Sequence, residues 1–193
     1  MKKLLLFVFV LPIITSCGKK PAEVSPDVIS QSTPFDTDDP AIWVNPKDAS
    51  KSIVFGTDKD EVNGGVYAFD LEGNIIENKS ITKVKYPNNV DVEYGFKLND
   101  STSTDILMFT EREASKIRLF SVPDMKPLDN GGYPVFADES EERFKKPMGI
   151  SLYKSPQTNR VYAIVSRKEG PKEGYLYQYE LVEDSVSVKA NLV

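Results

Sequence analysis

Three segments of this chain follow one pattern at intervals of about fifty residues. They are Ile53-Val54-Phe55-Gly56-Thr57-Asp58-Lys59, Ile106-Leu107-Met108-Phe109-Thr110-Glu111-Arg112 and Tyr162-Ala163-Ile164-Val165-Ser166-Arg167-Lys168. Each runs through four mostly apolar residues, a hydroxyl residue, a charged residue and then a cation, and the closing cations stand 53 and then 56 residues apart. Short strands repeating at this period predict an all-β propeller, in which four-stranded blades stand around one axis. Equivalent positions in successive blades point toward a common centre. The shared register therefore aims Lys59, Arg112 and Lys168 at one place, where an anion carrying more than one phosphate would suit them. The competing reading is of surface ion pairs, because Glu169 follows Lys168 and Arg112 lies between Glu111 and Glu113.

Period-two runs bounded by turn residues predict three sets of four strands. The first set is 41–44, 52–55, 66–71 and 74–77; the second is 90–94, 105–110, 116–122 and 133–136; the third is 149–153, 160–166, 175–181 and 185–192. Phe69, Phe120 and Tyr179 recur in the third strand of each set and are expected to pack between blades. Asp70-Leu71-Glu72-Gly73-Asn74 reads as a hairpin turn. No stretch carries a sustained helical period. Propellers close with about four to eight blades, and the sequence ends on strand-like Asn191-Leu192-Val193. About three blades are thus expected over 35–193, as the N-terminal part of a longer propeller; two copies closing one ring is the alternative.

Composition narrows the chemistry. With 24 Lys and Arg against 29 Asp and Glu, the net charge is −5, which argues against nucleic acid as the main partner. There is no histidine, so Ser-His-Asp and Cys-His catalysis and histidine-bound zinc are excluded. The single cysteine, Cys17, precedes the strand-forming region and supplies no nucleophile or internal disulfide there. Carboxylates, Lys, Arg, Tyr and oxygen-bound metals remain.

Residues 1–16 read as a signal peptide. Lys2 and Lys3 precede an apolar run over 4–14, too short for the ~20 residues of a bilayer span. The run ends in Ile14-Thr15-Ser16-Cys17, similar to a lipobox, which implies lipidation of Cys17 and attachment at a bacterial outer membrane or in the periplasm; an ordinary secretory signal is the other reading. Contact with the membrane is expected only through this anchor. Residues 17–34 hold three prolines and several serines and read as a flexible tether.

Asp36, Asp38 and Asp39 crowd the approach to the first strand. Carboxylates this close repel one another unless a cation or donors intervene. They suit calcium, which takes about 6–8 oxygen ligands, or form a solvated acidic turn. Asn88-Asn89-Val90-Asp91 brings amides and an acid to the corresponding place in the second set.

Asp38-Asp39-Pro40-Ala41-Ile42-Trp43-Val44, Gly56-Thr57-Asp58-Lys59, Asn88-Asn89-Val90-Asp91-Val92, Ser151-Leu152-Tyr153-Lys154-Ser155, Lys168-Glu169-Gly170 and Tyr177-Gln178-Tyr179-Glu180-Leu181 together resemble the β-propeller phytases. The likeness runs from about 35 to 181. It implies a six-bladed propeller and a calcium-dependent phosphomonoesterase acting on phytate, myo-inositol hexakisphosphate. It also implies phosphate-binding roles for Lys59, Arg112 and Lys168, a calcium-binding role for Asp39, and places near the metal for Asp38 and Asp91.

The pattern departs from the family at Asp60, where members often carry a second Lys, and at Met148, where well-known members carry an active-site Tyr. The acidic residues that hold the family's catalytic calcium ions are expected beyond Val193. A non-catalytic surface propeller binding phosphorylated or other anionic ligands is therefore the alternative function.

Overall fold

The computed structural model describes residues 24–184 and 187–193. The signal peptide and Cys17 lie outside the described residues, as does most of the tether. Among the described residues twelve strands follow one another: β1 (Asp36–Trp43), β2 (Ile53–Lys59), β3 (Gly64–Phe69), β4 (Ile81–Val84), β5 (Pro87–Lys97), β6 (Ser103–Glu111), β7 (Lys116–Val122), β8 (Tyr133–Pro134), β9 (Pro147–Lys154), β10 (Val161–Arg167), β11 (Leu176–Asp184) and β12 (Ser187–Leu192). They form three four-stranded antiparallel sheets, each a meander in chain order. No helix among the described residues is long and apolar enough to cross a membrane.

The three sheets stack, and the burial pattern of their strands records it. Strands buried on both faces read as continuous apolar runs, while strands buried on one face alternate. In β6, Ile106, Leu107, Met108 and Phe109 are all fully buried. Ile106 and Met108 pack toward the third sheet with Val161, Ala163, Val165 and Tyr179. Leu107 and Phe109 pack toward the first, with Trp43, Phe55, Val66 and Ala68. By contrast β10 alternates buried and half-buried residues along its length, because only one of its faces meets the second sheet.

Two of the three repeated aromatics pack between sheets as expected. Phe120 stacks on Phe109 with ring centroids 5.8 Å apart, in the core shared with the first sheet. Tyr179 lies in the core shared with the second. Phe69 is equally buried, but in a cleft of about 800 Å³ on the first sheet's other face, which it lines with Val28, Thr33, Phe35 and Val54. The end of the expected tether lies on this face. Gln31 N–H donates to Gly73 O at 2.8 Å, and Thr33 Oγ1 donates to Asp58 Oδ1 at 2.8 Å.

One strand is displaced from its expected place. The 74–77 segment is not a strand: after the turn at Asp70, the chain makes a single bridge at Ile75, a short 3-10 turn at Glu77–Lys79, and pairs with β3 only at β4. Local polar chemistry competes with the ladder here. Asp70 Oδ1 accepts from Glu72 and Asn74 N–H, Gly73 takes the left-handed φ of 85°, and Ser80 Oγ accepts from Ala68 N–H at 3.0 Å. The turn itself forms as expected, closed by Gly73 N–H to Asp70 O at 3.1 Å.

Candidate functional site

The starts of the innermost strands β1, β5 and β9 lie beside the ends of β2, β6 and β10, because Asp36 pairs with Lys59, Pro87 with Glu111 and Pro147 with Arg167. The inner strands also touch one another in series, β1 with β5 and β5 with β9. One rim of the stack therefore carries Lys59, Arg112 and Lys168 together with the acid- and amide-rich strand starts.

The repeated hydroxyl ties this rim together. Thr57 Oγ1 accepts from Asp39 N–H at 3.0 Å and donates to Asn88 O at 2.7 Å. Thr110 Oγ1 accepts from Asn89 N–H at 3.2 Å and donates to Met148 O at 3.0 Å. Ser166 Oγ accepts from Gly149 N–H at 2.9 Å. Each hydroxyl thus accepts from its own sheet's inner strand, and the first two donate to the next sheet. This explains why the repeat places a small hydroxyl residue there.

Lys59 is held by two carboxylates, Asp36 Oδ2 at 3.0 Å and Asp38 Oδ1 at 3.4 Å. The hydrogen bond that Lys59 donates to Asp36 is the main cause of its raised pKa, with burial opposing and Asp38 adding. Asp60 faces backbone: its Oδ1 accepts from Val62 and Asn63 N–H at 3.0 and 2.6 Å, and the Asn63 bond is the main cause of its lowered pKa.

Arg112 is only 9% exposed. Its guanidinium lies over the Tyr86 ring, 4.3 Å from the centroid, and Nη2 lies 2.9 Å from the Met148 thioether sulfur. Nε is buried without a partner. Among the described residues no carboxylate forms an ion pair with this cation, whereas Lys59 has two.

Lys168 keeps its place in the register, with its N–H on Lys146 O at 2.8 Å, but the residue is exposed. The buried cation of the third sheet is Arg167, 1% exposed, between the Phe136 and Tyr177 rings at 4.3 and 5.3 Å. It pairs with Glu139, and its Nη2 donates to Gly174 O at 2.7 Å. Arg167 occupies the position of Asp58 and Glu111, which accept from the segments leading into their own sheets, at Phe35 N–H and Lys85 N–H. In the third sheet the same tie is made with the charges exchanged. Sequence reasoning missed Arg167, Glu139 and Tyr86; the two-residue alternation of β10, which turns Arg167 inward with Val165, was the available signal for the first.

The three acids expected at a metal have separate roles. Asp39 Oδ2 accepts from Val90 N–H at 3.0 Å, and Asp91 Oδ2 accepts from Leu152 N–H at 2.7 Å, so each fastens its inner strand to the next. Asp38 binds Lys59 and receives Asn88 Nδ2 at 3.4 Å. Among the described residues no three Asp, Glu, His or Cys side chains form a metal-holding group. Asp36 and Asp38 offer carboxylate oxygens to a hard cation, but the atoms that face them are nitrogens, Lys59 Nζ and Asn88 Nδ2; Asn88 Oδ1, on a fully buried residue, has no hydrogen-bond partner.

Residues 11–190 match the family described as Phytase. A 3-phytase of Bacillus subtilis (strain 168) is 33% identical over 152 residues, covering 76% of this chain and 36% of that protein. The chain spans about a third of the length of this curated relative.

Proposed function

The chain belongs to the phytase family, and from that premise we propose that it supplies the phosphate-binding part of a calcium-dependent phosphomonoesterase acting on phytate. The observation that carries this reading is Arg112. A buried guanidinium without a carboxylate is costly unless an anion, such as a phosphate with its pair of oxygens, completes it. Arginine's planar fork suits such an oxygen pair. Lys59 and Lys168 add point charges along the same rim. The three sheets are three successive blades of a propeller, six-bladed in the family.

Calcium, when bound, neutralises phosphate charge and orients the attack on phosphorus. In this chain Asp36 and Asp38 would hold it once Lys59 withdraws from them, and they fill only part of a shell of about 6–8 oxygens. Asp39 and Asp91 support the site by fixing the inner strands on which these ligands stand. Phytate carries enough negative charge to draw Lys59 away from Asp36, which is itself largely exposed. Export and lipid attachment at Cys17 belong to the same proposal; labelling by fatty acid that Cys17→Ala abolishes supports them, and unchanged labelling sinks them.

A second reading is favoured by the absence of a three-carboxylate group among the described residues: a surface module that binds phosphorylated ligands without cleaving them. Phosphate release from phytate, in calcium and in chelator, separates the two. Calcium-dependent release that Arg112→Ala lowers at least a hundredfold supports the enzyme. Binding without release supports the module, and neither binding nor release refutes both.

A further inference from the structure

We propose that Tyr86 is a positioning residue for the phosphate-binding arginine, holding the Arg112 guanidinium by its ring face. The inference rests on the reading of Arg112 as a phosphate ligand.

Three observations converge on Tyr86. Its ring carries the Arg112 guanidinium at 4.3 Å. Its backbone joins the two cationic strand ends: Tyr86 N–H donates to Asp60 O at 2.8 Å, and Arg112 N–H donates to Tyr86 O at 3.1 Å. Since Asp60 follows Lys59, one short hydrogen-bonded path runs from the first cation to the second through this residue. Finally, Tyr86 has φ of 57°, in the left-handed region. A bulky residue seldom occupies that region without compensation from its surroundings.

The chemistry explains why an aromatic ring suits this place. A carboxylate could orient Arg112, but it would also neutralise the charge needed for an anion. The ring face attracts the guanidinium through its quadrupole and carries no net charge. The Met148 sulfur, a weak acceptor, is the other side-chain partner of the guanidinium and likewise leaves the charge uncompensated. Tyr86 and Met148 thus fix the arginine's direction and leave its charge available.

The test is a double-mutant cycle read by calorimetric titration of phytate into the full chain. Tyr86→Phe keeps the ring and should bind within about twofold of wild type. Tyr86→Asn removes the ring but tolerates the left-handed backbone, and should weaken binding about fivefold to twentyfold. In an Arg112→Ala background the same substitution should change nothing further, a result that general damage to the fold would not give. An equal loss in both backgrounds, or no loss from Tyr86→Asn while Arg112→Ala weakens binding, overturns the role of Tyr86 alone. Wild-type affinity in Arg112→Ala overturns the phosphate reading and the Tyr86 proposal with it.

Discussion

The Asp39 carboxylate accepts the backbone N–H of Val90 at 3.0 Å, so an acid of the first inner strand fastens the second. Asp91 repeats the relation on Leu152 at 2.7 Å. Removing Asp39 leaves a donor in a half-buried seam without its partner. Asp39→Ala should lower unfolding stability by about 2 kcal/mol, and Asp39→Asn by less because an acceptor remains. Urea denaturation followed by circular dichroism checks this; equal stability of Asp39→Ala and wild type would refute the fastening role.

Thr110 is fully buried and joins two sheets through one hydroxyl. Thr110→Val keeps the shape and removes both hydrogen bonds. A loss of about 2 kcal/mol is expected, because an N–H and a carbonyl are left unpaired together. Thr110→Ser should recover most of it.

Arg167 pairs with Glu139 in a setting where the arginine is almost wholly enclosed. Arg167→Met keeps the stem and strands Glu139, at a cost of about 3 kcal/mol. The double variant Arg167→Met/Glu139→Gln should recover part of that loss. Gly170 packs on this arginine so closely that an added Cβ would collide with Arg167 Cδ. Gly170→Ala should therefore disturb the loop after Lys168.

Alkaline pH should unfold the protein through its buried phenols. Burial raises the Tyr179 pKa from 10.0 to about 12 and pushes Tyr133 up as well. A phenol with a raised folded pKa stabilises the fold fully below its unfolded pKa, because only the unfolded chain ionises readily above it. Stability should fall as pH rises from 10.0 to about 12. Tyr179→Phe should flatten that slope in pH-dependent melts.

Much of this arrangement was legible in the sequence, for particular reasons. The Thr57, Thr110 and Ser166 repeat marks the strand register, because each hydroxyl binds its own inner strand and the first two also reach the next sheet. The unbroken apolar run at 106–109 marks a sheet covered on both faces. The 74–77 segment misled because its apolar residues look strand-like, while the turn chemistry of Asp70 delays pairing until Ile81. The expectation of Asp39 and Asp91 at a metal comes from the family resemblance; what spacing cannot reveal is that a backbone N–H of the next inner strand faces one oxygen of each carboxylate. Tyr86 lay in no motif; only its left-handed backbone and the cation above its ring single it out.

The central claim is that the rim around Arg112 binds a phosphate-rich anion. Its most direct test is titration of phytate into wild-type chain and Arg112→Ala at fixed ionic strength. Saturable binding, weakened at least tenfold by the substitution, is the predicted result. Equal affinity in the two proteins, or no binding to either, would contradict it.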